Sequence, residues 1–385
     1  MSVLAGVFWL CTALVAWSYL GYPLFARWWL HACKPPVQAP IASPTGQLPM
    51  VSVVVAAHNE EECIAARLDN LLAQDYDPAR LEILVGSDGS TDGTAAIVAS
   101  RQSGRVRLLD FSVNRGKASV LNDLLAQARG EITVFTDANT VFEHGAVSAL
   151  VRPFADPGVG AVCGELLLVP RAGAGSNRDH QYWNVERRLK AFESAVGGLL
   201  GANGGVYAIR TRLYQPLLPT TICDDFVVAM NVAQGGHRLV YEPAAVASEV
   251  APGDMADEFR RRVRIGMGNY QILFGCPQYL AQAPLVRQFT YLSHKVLRWL
   301  APQLLLLELA CCALLDGAGY RAWFWLQLGG LGALAATYRL RRRLGEGNPV
   351  GKLLYVALLN AAFAVGFARY LGGRAGGTWR RTARI

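Results

Sequence analysis

Four stretches of the chain are nearly unbroken runs of apolar residues. Between the first and second lies a long region where apolar and polar positions alternate in short blocks. Residues 3–22 carry no charged side chain. As a helix they rise about 30 Å, enough to cross the hydrocarbon core of a bilayer. No basic residue precedes this run and no small-residue cleavage motif follows it, so it reads as a retained anchor rather than a cleaved leader. Similar runs at 296–315, 322–338 and 353–371 are three more membrane-span candidates. Arg27 and Lys34 follow the first run, which places the downstream side in the cytoplasm. Arg260, Arg261, Arg262 and Arg264 stand among Phe259, Val263 and Ile265, the pattern of amphipathic helices lying at a membrane surface.

The predicted division is an anchor over 1–33, a proline-rich linker over 34–49, a globular domain over 50–254, interfacial helices over 255–295, apolar segments over 296–372 and a basic tail over 373–385. Four spans with a cytoplasmic globular domain would leave the C-terminus outside. Arg374, Arg380, Arg381 and Arg384 prefer the inside, as do the arginines of 339–343. One C-terminal segment is therefore expected to be re-entrant or interfacial.

Within the globular region, 51–57 is a β-branched run that ends in a polar cluster. A helix with Ile64, Leu68, Leu71 and Leu72 at helical spacing follows, and Asn59 is placed to cap it. Further strands are predicted at 81–86, 106–109 and 132–136, with a helix over 117–128. Alternating strands and helices predict an α/β fold with a doubly wound, mostly parallel sheet. The polar clusters fall at the carboxyl ends of the strands, where such sheets bind ligands.

Composition narrows the class. Of the 385 residues, 52% are hydrophobic and 17% are charged, below the roughly 25% charged of soluble domains. The net charge of +8 is assigned to membrane flanks rather than to a nucleic-acid partner. The eight cysteines show neither a CxxC nor a Cys/His ligand spacing, so zinc is unsupported and reduced thiols are expected.

The polar clusters carry the chemistry. Asp137 and Asn139 stand two residues apart at a strand end, a pattern that suits a hard cation such as Mg²⁺ or Mn²⁺ and equally a plain turn. Asp88 lies in a Ser/Gly/Thr loop where Asp92 and Thr94 can cap a helix. Lys117 can meet a phosphate at a helix N-terminus or simply stand on a solvated face. Asp224 and Asp225 open an apolar helix, either as N-terminal charges or as a general base. The turn 201–205 is read either as a plain structural turn or as one that lets another molecule approach the backbone. Glycine-rich dinucleotide and P-loop motifs are absent.

In order, Val-Val-Val-Ala-Ala-His-Asn-Glu-Glu (53–61), Ser-Asp-Gly-Ser-Thr-Asp-Gly-Thr (87–94), Asn-Arg-Gly-Lys-Ala (114–118), Phe-Thr-Asp-Ala-Asn-Thr (135–140), Gly-Ala-Asn-Gly-Gly-Val-Tyr-Ala-Ile-Arg (201–210) and Asp-Asp-Phe (224–226) resemble the membrane-bound family 2 glycosyltransferases. That group includes cellulose, hyaluronan and poly-N-acetylglucosamine synthases and ceramide glucosyltransferase-like enzymes. The resemblance implies a GT-A fold and an inverting transfer from a nucleotide-sugar donor, usually UDP-linked. It assigns His58, Asn59 and Glu60 to the first nucleotide loop, Asp88 to the uracil and Lys117 to the nucleotide's surroundings. It assigns Asp137 and Asn139 to the D-x-D metal motif, Asp225 with Asp224 to the catalytic base, and Arg264 to the arginine of Q-x-x-R-W.

Two departures matter. Asn139 replaces the second acid of D-x-D. Arg261 and Ile265 replace the Gln and Trp of Q-x-x-R-W, and in processive synthases that Trp lies near the acceptor sugar. The expected function is therefore transfer of one or a few sugars to a membrane-associated or lipid-linked acceptor, in envelope glycolipid or polysaccharide synthesis at the inner membrane. A processive polysaccharide synthase, a silent scaffold with envelope-assembly partner proteins, and a transporter are the alternatives. The transporter is disfavoured because the spans hold few ionisable groups, chiefly Glu308 and Arg369.

Overall fold

The computed structural model describes residues 2–33, 48–169, 178–250, 255–340 and 349–373. Positions 34–47 of the expected 34–49 linker, the arginines at 341–343 and the tail from 374 lie outside these.

Eight strands form one sheet: β1 (Val51–Ala57), β2 (Leu81–Asp88), β3 (Val106–Phe111), β4 (Ile132–Asp137), β5 (Val141–Phe142), β6 (Val159–Val169), β7 (Tyr207–Arg210) and β8 (Arg238–Val250). Their spatial order is β3-β2-β1-β4-β7-β6-β8-β5. The pairs β3·β2, β2·β1, β1·β4 and β6·β8 are parallel. The pairs β4·β7, β7·β6 and β8·β5 are antiparallel. The sheet is thus mixed, with its parallel half built from the strands read in the sequence. The antiparallel return through β7 lets the chain after β4 come back beside β4's carboxyl end.

β1 is buried at every position, as a central parallel strand covered on both faces must be. Its alternation sorts the two core layers. Val51, Val53 and Val55 pack with Ile83, Val85 and the helix Ile64–Leu72 on one face. Val54 and Ala56 pack with Leu84, Phe135 and the helices Lys117–Gln127 and Asp224–Gln234 on the other. The second face therefore delivers two helix N-termini to the strand ends.

Asn59 does not cap the first helix. That helix begins five residues later with Cys63 at its N-cap position, and Asn59 adopts a left-handed conformation with φ of 55°.

Among the described residues, two helices are long and apolar enough to cross a membrane, Val3–Cys33 and Leu285–Leu314. Each contains a π-helical turn, Trp17–Gly21 and Tyr291–Val296. The second begins earlier than the apolar run suggested and takes in the end of the expected interfacial segment. Helices Ala318–Leu340 and Pro349–Leu371 hold the other two span candidates. The last packs on helix Met255–Gly275, with Gly366 against the backbone of Gly266 and Met267.

Aromatic clusters join this helical part to the sheet domain. Phe226 and Met230 pack with Tyr279, Tyr291 and Trp299. Tyr22 and Ala26 pack with Leu189 and Phe192 of helix Arg178–Ala195.

Candidate active site

Lys117 is the hub of a charged cluster at the carboxyl end of β4. Its Nζ lies 2.8 Å from Asp137 Oδ1 and 3.2 Å from Asp224 Oδ2. Burial alone would lower the ammonium's pKa, but the carboxylates of Asp137, Asp224 and Asp225 outweigh it and raise the pKa, so Lys117 stays charged. Asp224 is buried, and its Oδ2 has this ion pair without a hydrogen bond of good geometry.

Asp225 has a different setting. Its Oδ1 accepts from the Phe226 amide at 2.8 Å, as a carboxylate on the first turn of a helix does. Burial, then the like charge of Asp224, push its pKa up to about 6, against the pull of Lys117. A carboxylate poised there is ionised at neutral pH and still basic enough to take a proton. Adjacent acids thus divide the work: Asp224 is locked to the lysine, and Asp225 lies along the turn 201–205.

That turn meets Asp225 closely. A Cβ at Gly204 would stand 3.2 Å from Asp225 Oδ2. The turn is held from both sides: Thr136 Oγ1 donates to the Gly205 carbonyl at 2.8 Å, and Asn203 donates to the Gly164 carbonyl at 2.7 Å while accepting from Lys190.

The remaining sequence candidates fall into two groups. His58, Asn59 and Glu60 follow β1 and lace onto the loop after β2. His58 Nδ1 lies 2.7 Å from the Asp88 carbonyl, Asn59 Oδ1 accepts from the Thr91 amide at 2.8 Å, and the Glu60 amide donates to Thr94 Oγ1 at 2.7 Å. Asp88 has no exposed surface, and its two carboxylate oxygens accept from the Arg115 and Gly116 amides at 2.8 and 2.9 Å. It therefore fixes the loop that starts the Lys117 helix.

Arg264 comes from helix Met255–Gly275. Gly268, one turn later on the same face, is the close-approach point: a Cβ there would meet Cys223 Sγ at 2.6 Å. The exposed Arg264 is near enough to act electrostatically on the Cys223 thiol, beside Asp224. Arg260, Arg261 and Arg262 are instead paired with Asp257 or Glu258 of their own helix.

Asn139 donates from Nδ2 to Glu249 Oε1 at 3.1 Å. Glu249, buried at the end of β8, was not singled out from the sequence, nor was Lys190. Neither sits in a recognisable motif; an acid near the end of a long apolar strand was the one signal for Glu249. Among the described residues no group of three His, Cys, Asp or Glu side chains is arranged to hold a metal. The oxygens of Asp137 and Asn139, in a cluster where carboxylates outnumber the lysine, still suit a hard cation that takes its other ligands from a diphosphate.

Comparisons with known proteins bear on the family and the fold. Residues 52–215 match the profile of Glycosyl transferase family 2. A mannosyltransferase from Pyrobaculum calidifontis, PcManGT, solved with GDP-Man and Mn²⁺, superposes with a TM-score of 0.74 at 26% identity, covering 97% of this chain and 100% of that one. Poly-beta-1,6-N-acetyl-D-glucosamine synthase of Staphylococcus aureus is 26% identical over 234 residues, 59% of this chain and 56% of that protein; the Staphylococcus epidermidis enzyme is 27% identical over the same length. The chain thus matches just over half the length of these curated relatives. Fold and site define a GT-A glycosyltransferase. Within that class, residues 52–215 are similar to the family 2 glycosyltransferases.

Proposed function

We propose that the protein transfers a hexose from a nucleoside diphosphate sugar to a hydroxyl of a membrane-associated or lipid-linked acceptor, with inversion at the anomeric carbon. The observation that carries this reading is the division of labour at 224–225: one carboxylate locked to Lys117, its neighbour poised at about 6 beneath a glycine turn. Asp225 removes the acceptor hydroxyl's proton as the oxygen attacks. The turn 201–205 bounds the space in which that hydroxyl must lie, which reduces the entropy lost on reaching the transition state. Arg264 and Lys117 place positive charge where the leaving diphosphate develops negative charge. Asp137 and Asn139 would hold a divalent cation, which supplies further positive charge to the diphosphate when bound. Asp88, His58, Asn59 and Glu60 shape the nucleotide-side loops.

The apolar helices Val3–Cys33 and Leu285–Leu314 support a membrane placement. The multi-pass arrangement with a cytoplasmic catalytic domain is part of the proposal, resting on Arg27 after the first helix. Transfer of one or a few sugars is favoured by Ile265. Its backbone carbonyl lies 3.8 Å from the Cys223 thiol, and the resemblance to Q-x-x-R-W expects a tryptophan at this position. The match to poly-beta-1,6-N-acetyl-D-glucosamine synthases favours the second reading, a polymerase.

The test is nucleoside diphosphate release from a panel of UDP- and GDP-sugars with Mn²⁺, Mg²⁺ or EDTA, followed by sizing of labelled product. Both nucleotides belong in the panel, since family resemblance favours UDP and the structural neighbour was solved with GDP-Man. A short lipid-extractable product supports the proposal; a high-mass ladder replaces it with the polymerase reading.

A further inference from the structure

A cavity of about 530 Å³ opens beside the end of the first apolar helix, away from the charged cluster just described. Its walls are Leu24, Arg27, Trp28, Leu30 and His31 of helix Tyr22–Cys33, and Arg188 of helix Arg178–Ala195. Two guanidinium groups from different helices thus border one space. Among the described residues, neither Arg27 nor Arg188 nor His31 forms an ion pair. Their neighbours are engaged: Arg187 pairs with Glu165 at 2.9 Å, and Lys190 donates to Asn203.

Depth explains what such a space can hold. Helix Val3–Cys33 has 31 residues, about 46 Å at 1.5 Å per residue. A bilayer measures about 30 Å through its hydrocarbon core and about 40–45 Å with its headgroups. A helix that enters the hydrocarbon at Val3 leaves it near Tyr22, so Arg27, Trp28 and His31 stand at headgroup depth. Leu24 and Trp28 are each 62% exposed, the placement of an interfacial belt.

We propose that this cavity binds the headgroup of an anionic phospholipid. The planar donors of Arg27 and Arg188 match a phosphodiester. Leu24, Leu30 and Trp28 provide apolar wall for the first acyl carbons, which a free phosphate could not use. The helix C-terminus points carbonyls toward this level and does not attract an anion, so the arginines carry the recognition. The inference rests on the membrane placement of helix Val3–Cys33 and is independent of the transfer chemistry.

The test is native mass spectrometry of the full chain in detergent, titrated with phosphatidylglycerol or with phosphatidylcholine of the same acyl chains, and with inorganic phosphate as competitor. Phosphatidylglycerol is expected to bind at least 10-fold more tightly than phosphatidylcholine. Arg27→Gln and Arg188→Gln should each weaken it at least 3-fold, and the double variant should bind the two lipids alike. Unchanged nucleotide-sugar affinity in these variants checks that they are folded. Undiminished phosphatidylglycerol binding by the double variant would overturn the proposal. So would inorganic phosphate that displaces the lipid at comparable concentration, which would mark a site for a soluble phosphate.

Discussion

Asp225→Asn should make the protein more stable at neutral pH while disabling it. Asp225 is raised from 3.8 in the unfolded chain to about 6 in the folded one. An acid raised on folding favours the folded state at low pH, where it is protonated. That advantage is lost as pH climbs from about 4 to 6, because ionisation then occurs in an unfavourable place. The shift of about two units corresponds to an upper bound of about 3 kcal/mol. Asp225 is not fully shielded from water, so about 1–2 kcal/mol is the working figure. Asparagine keeps the oxygen that accepts from the Phe226 amide and drops the charge. In metal-free protein with EDTA, the variant should melt about 2–4 °C above wild type at pH 7.5, taking about 2 °C per kcal/mol. At pH 4 the difference should vanish. Equal melting temperatures at both pH values, or a less stable variant at pH 7.5, would refute the picture of a strained, poised carboxylate.

Lys117→Met should be the opposite case. It leaves Asp137 and Asp224 without their shared cation, so metal-free protein should lose about 2–4 kcal/mol in denaturant titrations, and donor binding should weaken at least 10-fold by calorimetry. Gly204→Val places atoms in the 3.2 Å space before Asp225 Oδ2; turnover should fall at least 10-fold while donor Kd changes less than about 2-fold. Asn139→Asp sets a second carboxylate against Glu249, about 3 Å away. Mn²⁺ affinity measured by calorimetry should therefore rise only when Glu249→Gln accompanies it.

The parallel half of the sheet was legible because buried parallel strands are short, continuous, β-branched runs bounded by polar clusters. β1, β2 and β4 have that form, while β3 at the sheet edge is buried only at Val106 and the helices Ile64–Leu72 and Lys117–Gln127 were legible as helical stretches between the strands. The antiparallel half was not. β7 is four residues long and follows a glycine turn, and β8 runs through Glu242, Pro243 and Glu249, which break the strand pattern. Lys117, Asp137 and Asp224 stand in sequence motifs, and the fold brings the three side chains together. Asn59 was misassigned as a cap because its turn chemistry is satisfied across space by Thr91, a partner local sequence does not reveal. Glu249 and Lys190 act through folded-state neighbours, Asn139 and Asn203, so no spacing rule could find them. The clustering of Arg260, Arg261, Arg262 and Arg264 hid the distinction that matters, since three are paired along their own helix and Arg264 is near enough to act electrostatically on Cys223.

The most direct test of the central claim is a single-turnover measurement on wild type and Asp225→Asn, with the preferred donor, Mn²⁺ and native lipid acceptor. Donor affinity is read in parallel by calorimetry. The account predicts an unchanged donor Kd and transfer slowed by about 10²-fold or more, the loss expected when a general base is removed. Near-normal transfer by Asp225→Asn, with the donor bound as in wild type, would contradict it.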